Sequence, residues 1–144
     1  MRMMETQWDL FVHTDGASRG NPGEAGVGIV FCKPDGEVVH EVADYLGVET
    51  NNVAEYKAML RALDEVVKLN ATKIKFFSDS ELMVKQINGQ YKVKHPNLQP
   101  LYQEVKNKLA RLEAYTVEHV RREKNHNADR LANQGIDQKN NEMK

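Results

Sequence analysis

The chain has 144 residues, the size of one domain able to bury its own core, with an ordinary globular composition of 40% hydrophobic and 28% charged residues. A formal net charge of −1 excludes a generic polycationic nucleic-acid glue but not an enzyme whose acids are gathered in one site. The lone Cys32 excludes an intramolecular disulfide and any multi-cysteine zinc site, and no run has the length of a membrane span.

The first residues, Met-Arg-Met-Met-Glu-Thr-Gln, lack the apolar core of a signal peptide, so the expected setting is cytoplasmic. From Trp8 to Thr14 the side chains alternate, with Leu10 and Val12 on one face and Phe11 and His13 on the other, which predicts a strand ending near Asp15. Ala25 to Phe31 and Val38 to Leu46 follow as a hairpin about Pro34-Asp35-Gly36. Over 52–69 the period becomes helical, with Tyr56, Met59, Leu60, Leu63, Val66 and Val67 forming one apolar stripe. A short strand at Lys73 to Phe77 precedes a helix over 79–88 that Gly89 stops. A loop bracketed by Pro96 and Pro100 leads to an amphipathic helix over 101–113, a last strand from Tyr115 to Val120 and a last helix over 126–137. The expectation is one domain, 1–137, with a polar, frayed tail over 138–144. The order β-β-β-α-β-α-α-β-α predicts an α/β fold: a mixed five-stranded sheet, three strands antiparallel and the rest parallel, flanked by helices.

Four carboxylates sit where strands should hand over to loops or helices. Asp15 lies in Thr-Asp-Gly-Ala-Ser-Arg-Gly-Asn-Pro-Gly, Glu55 in Thr-Asn-Asn-Val-Ala-Glu, Asp79 in Ser-Asp-Ser-Glu and Asp129 in Asn-His-Asn-Ala-Asp-Arg-Leu-Ala. Each has a local explanation: Asp15 as a turn residue, Glu55 at capping-box spacing from Asn52, Asp79 and Asp129 in first helical turns where the macrodipole favours an acid. Capping does not explain their company. Gly16, Gly20, Gly23, Gly26 and Gly28 let a backbone pass close to something bulky, and Asn21, Asn51 and Asn52 add amides beside the acids. Acids gathered from distant parts of a chain repel unless a cation lies between them, and hard oxygen ligands suit Mg²⁺ or Mn²⁺, which points to metal-assisted cleavage of a phosphodiester. No Walker loop, no dinucleotide fingerprint and no Gly-x-Ser-x-Gly is present, and His13, His40 and His95 lack metal-ligand spacing.

Taken in order, these segments resemble type 1 ribonuclease H: Thr14 to Gly23 its first-strand signature, Thr50 to Glu55 its helix-start motif, Ser78-Asp79-Ser80 its third and Ala128-Asp129 its fourth. The resemblance covers about residues 8–137 and implies a ribonuclease H-like fold. It also implies that Asp15, Glu55, Asp79 and Asp129 are the catalytic quartet of a metal-dependent endonuclease. Such an enzyme hydrolyses the RNA strand of RNA–DNA hybrids and leaves 5′-phosphate and 3′-hydroxyl ends. In a two-metal site Asp15 is the natural bridging ligand, with Glu55 and Asp79 completing one shell and Asp129 the other. Discrimination of RNA then rests on the 2′-hydroxyl: Glu55 could accept from it while the backbone at Gly16 and Ala17 approaches the ribose, and Asn21, Asn51 and Asn52 would read sugars and minor-groove edges.

Two departures from the best-known bacterial pattern stand out. The stretch from Asn88 to Pro96 contains no Trp and is too short for the basic protrusion those enzymes can carry. The loop before Asp129, Arg121-Arg122-Glu123-Lys124-Asn125, lacks the expected histidine, and Arg122 is the candidate to supply positive charge there. The expected partner is an RNA–DNA hybrid bound by a monomer. The alternatives are a non-catalytic hybrid- or duplex-binding module and another nuclease of the same superfold.

Overall fold

In the computed structural model, which describes residues 7–142, the period-two segment becomes β1 (Leu10–Ser18) at the centre of a five-stranded sheet. It pairs antiparallel with β2 (Gly23–Cys32), and β2 with β3 (Val38–Glu49). On its other side β1 runs parallel to β4 (Lys73–Ser78), which runs parallel to β5 (Ala114–His119). Helices α1 (Asn51–Lys68), α2 (Glu81–Ile87) and α3 (Gln99–Leu109) come between β3 and β5, and α4 (His126–Glu142) is the last described element, after a single 3₁₀ turn, Arg122–Lys124. The expected α/β fold is the one observed.

Leu10 and Val12 of β1 meet α1, while Phe11 and His13 turn to the opposite face, where both rings contact Phe77. Helix α1 lies close on the sheet because Ala54, Ala58 and Ala62, all fully buried, leave room, and Tyr56, Met59 and Leu63 fill the gaps beside them. Burial of each large side chain contributes roughly 1.5–3 kcal/mol. Val67 does not belong to the buried stripe; it is 69% exposed, one position past the core-facing Val66. Helix α4 covers β2 and β3 on the other face.

Several boundaries move, each for a local reason. β1 does not end near Asp15, because antiparallel pairing with β2 continues to Ser18↔Ala25. Thr50, not Asn52, caps α1, its hydroxyl accepting from the Val53 N–H at 3.2 Å. Asp79 precedes α2 rather than lying in its first turn, since Ser80 is the cap. Pro100 is no loop bracket: it occupies the first turn of α3, where its missing N–H is harmless. Helix α4 passes 137 and continues to Glu142, with Lys139 anchored on the Tyr45 ring and hydroxyl. Met143 and Lys144 of the expected tail, and residues 1–6, lie outside the described residues.

Candidate active site

The parallel pairing of β1 with β4 ends at Thr14↔Ser78. The next residues are Asp15 and Asp79, so two aspartates stand side by side where β4 ends and β1 continues with β2 alone as its partner. Such strand ends are where open α/β sheets bind ligands. Asp15 is 5% exposed, and Asp79 is half-buried.

Glu55 reaches the same place from α1. It is 4% exposed, and its Oε1 accepts from the Gly16 N–H at 2.7 Å, which fixes the side chain and leaves Oε2 for another partner. This contact requires glycine: a Cβ at residue 16 would overlap the Ala54 carbonyl and the Glu55 nitrogen. Glu55 therefore does not close its own helix; it ties α1 to β1. Asp129 comes from the first turn of α4. That helix sits deep on β2 because Gly28 leaves no Cβ against the Ala128 carbonyl. Asn125, 2% exposed, ties the preceding loop to β1 by donating to Thr14 O at 2.9 Å.

Burial and mutual repulsion act together on these acids. Asp15 is pushed up to about 10, first by burial and then by Glu55, Asp79 and Asp129. Glu55 is pushed up to about 8, mainly by burial, against the Gly16 hydrogen bond that favours its charged form. Asp79 is raised by burial, and the Arg122 guanidinium opposes that shift. Asp15 Oδ2 is buried with no hydrogen-bond partner. One carboxylate oxygen from each of Asp15, Glu55 and Asp79 lies within 4.8 Å of the others. An orphaned oxygen among crowded acids is the donor set of a hard divalent cation, so the residues present fit Mg²⁺ or Mn²⁺.

The acids open into a cleft of about 390 Å³. The four carboxylates line it together with Gly16, Ala17, Asn51 and Arg122. Asn21 and Asn52 do not; they line an adjoining hollow with Thr50 and His95, and Asn21 Oδ1 accepts from the Asn51 N–H at 3.2 Å. The Gly16 N–H is already donated to Glu55. His126 faces away, its Nδ1 at 3.2 Å from Glu123 O on the far side of the loop. His119 ends β5 and is exposed. Sequence reasoning missed three residues. They are Asn125 in the loop before α4, Arg19 in the glycine-rich segment after Asp15, and Asn133 on α4. Asn133 alone carried a signal, standing four residues after Asp129 on one helix face.

Sheet order, helix placement and acid-lined strand ends define an α/β domain of the ribonuclease H-like class. A family model described as reverse transcriptase-like matches residues 13–135. The bifunctional protein Rv2228c of Mycobacterium tuberculosis is 43% identical over 129 residues, which cover 89% of this chain and 35% of that protein. This chain thus spans about a third of the length of the first curated relatives it matches. The crystal structure of RNase H1 from the archaeon Halobacterium salinarum superposes with a TM-score of 0.87 at 37% identity, over 90% of this chain and 98% of that one. LC11-RNase H1 in complex with an RNA/DNA hybrid superposes at 0.86 with 39% identity, over 90% and 97%. The chain belongs to the ribonuclease H1 family, in the form without a basic protrusion: only a loop, residues 88–98, joins α2 to α3.

Proposed function

We propose that this chain hydrolyses the RNA strand of RNA–DNA hybrids, leaving 5′-phosphate and 3′-hydroxyl ends, with two Mg²⁺ or Mn²⁺ ions held by Asp15, Glu55, Asp79 and Asp129. The observation that carries the reading is the buried, unpartnered Asp15 Oδ2 among three further acids, in a chain similar to an RNase H1 solved on a hybrid. When bound, the ions supply an activated water and neutralise charge on the leaving 3′-oxygen. Asp15, on the central strand, would be shared between the ions, with Glu55 and Asp79 holding one and Asp129 the other.

The remaining work falls to the chain's own groups. Gly16 holds Glu55 by one oxygen, so the other stays free for a cation or a ribose 2′-hydroxyl, the group that distinguishes RNA from DNA. Ala17 and Asn51 border the cleft where a sugar would lie, with Asn21 and Asn52 one step outward along the minor groove. Arg122 cannot be a general base at neutral pH; it offers forked donors to phosphate oxygens and stabilises developing charge. All these residues come from one chain, so a monomer suffices, and a cytoplasmic setting suits the substrate. No described helix is long and apolar enough to cross a membrane.

The test is cleavage of matched RNA–DNA, RNA–RNA and DNA–DNA duplexes with Mg²⁺, Mn²⁺ and EDTA. The reading expects RNA-strand cleavage of the hybrid that EDTA stops. Hybrid binding without cleavage in either metal would instead make this a binding module.

A further inference from the structure

Three side chains beside the carboxylates have no part in the chemistry above, yet they form a hydrogen-bonded line that ends on Asp129. Asn133 stands one helical turn after Asp129, and its Nδ2 donates to Asp129 O at 3.0 Å and reaches Asp129 Oδ1 at 3.4 Å. Arg19, just past β1, donates through Nη2 to both Asn133 Oδ1 and Asn133 O, each at 3.3 Å. Its Nη1 pairs with Asp137 Oδ1 at 2.8 Å, one further turn along α4. Arg19 and Asn133 both line the carboxylate cleft.

The chemistry of each group gives the line a direction. Arginine only donates, so its contact selects the oxygen side of the Asn133 amide and turns the NH₂ side toward Asp129. Asp137 holds the guanidinium in that position and balances its charge. Asp129 needs such help more than Glu55 does, because Glu55 is buried and anchored by a backbone N–H whereas Asp129 is only half-buried on an outer helix. We infer that Asn133 is a positioning residue for the Asp129 carboxylate, oriented by Arg19 and Asp137, so that Asp129 meets the second cation preorganised. The inference rests on the reading of Asp129 as a cation ligand. A free Arg19 would instead be a phosphate contact, but here its charge is already paired.

The experiment measures three quantities in wild type, Asn133→Ala, Asn133→Asp and Arg19→Lys. These are Mn²⁺ affinity by calorimetry, the rise in Tm on adding Mn²⁺, and kcat and KM on a hybrid. Loss of an outer-shell partner costs on the order of tenfold in metal affinity or activity. Asn133→Ala is therefore expected to weaken Mn²⁺ binding and lower kcat by about tenfold with KM unchanged. Asn133→Asp, which swaps the donor for a repelling carboxylate, loses more. Arg19→Lys, which still donates but without the fork, loses less, and as a surface change it keeps the test available if a residue-133 variant fails to fold. Wild-type Mn²⁺ affinity and kcat in Asn133→Ala would overturn the inference. So would a loss confined to KM, which marks a direct substrate contact, or a drop in metal-free Tm with Mn²⁺ binding intact, which marks a plain structural brace. If wild type cleaves no hybrid, the proposed function fails while the calorimetric comparison still decides this point.

Discussion

Asp9, just before β1, and Asp15, near its far end, are the same residue type on one stretch of chain in opposite circumstances. Asp9 is exposed and accepts from the Thr72 and Lys73 N–H groups at 2.9 and 3.0 Å; those bonds, the Thr72 one foremost, hold its carboxyl below the usual range. Asp15 is buried, has one oxygen with no partner, and faces three more acids. The first end of the strand is satisfied by the protein itself. The second is left for a charge from outside, and stability is forgone there.

Neutralising each aspartate in turn should have opposite consequences. Asp15→Asn should abolish hybrid cleavage while hybrid binding survives or improves, and the metal-free protein should be as stable as wild type or more so. Asp9→Ala should leave turnover unchanged and lower stability by about 1 kcal/mol, the scale of the lost backbone hydrogen bonds. Cleavage and calorimetric melting check both. Full activity in Asp15→Asn would remove the basis for the cation site.

The next effect lies in the backbone that holds Glu55. Gly16→Ala must push β1 and α1 apart, at about 1–3 kcal/mol of stability. It should also detach Glu55 and lower kcat well beyond what that destabilisation explains. A melting curve and turnover at a temperature where the variant stays folded separate the two effects.

A smaller effect belongs to the loop before α4. Arg122→Ala should lose about tenfold in kcat with little change in binding, and Arg122→Lys should recover part of it. His119→Ala and His126→Ala should stay near wild type, because neither imidazole lines the cleft. If His126→Ala proved crippling, the arginine assignment would be wrong.

The smallest effect concerns grip. A loop stands in place of a basic protrusion, with Lys85, Lys92, Lys94 and His95 on that side; Lys85 is paired with Glu81 at 2.7 Å, and Lys106 from α3 donates to Ile87 O at 3.0 Å. Hybrid affinity should fall with salt at a log–log slope of about two to four. A slope near eight would reveal a basic surface elsewhere.

The four acids were legible because each stands in a polar or glycine-rich segment that packing alone does not demand. The sheet was legible because alternation and helical period are local signals. What the sequence hid was set across the fold. β1 runs through Asp15 because β2 pairs with it there, and of the two amides that open α1 only Asn51 lines the cleft, Asn52 joining Asn21 in the hollow beside it. The line from Asp137 to Asp129 joins residues 19 and 133, which are distant in sequence. Val67 and Pro100 misled for a simpler reason, since a stripe's edge and a helix's first turn look like its interior and its outside.

If burial and mutual repulsion hold these acids in a state that a cation relieves, the folded chain must lose stability with rising pH in EDTA and regain it with metal. Asp15 and Glu55 titrate at about 10 and about 8 in the folded chain, against ordinary values of 3.8 and 4.5. Between those limits the folded state holds more protons than the unfolded one, so stability is full in acid and falls as pH rises through the folded values. From pH 7 to 8.5 the wild-type Tm in EDTA should fall by at least about 5 °C. Mg²⁺ or Mn²⁺ should remove most of that fall, and Asp15→Asn should flatten it without metal. Parallel, flat curves for wild type and Asp15→Asn, unmoved by either cation, would contradict the account.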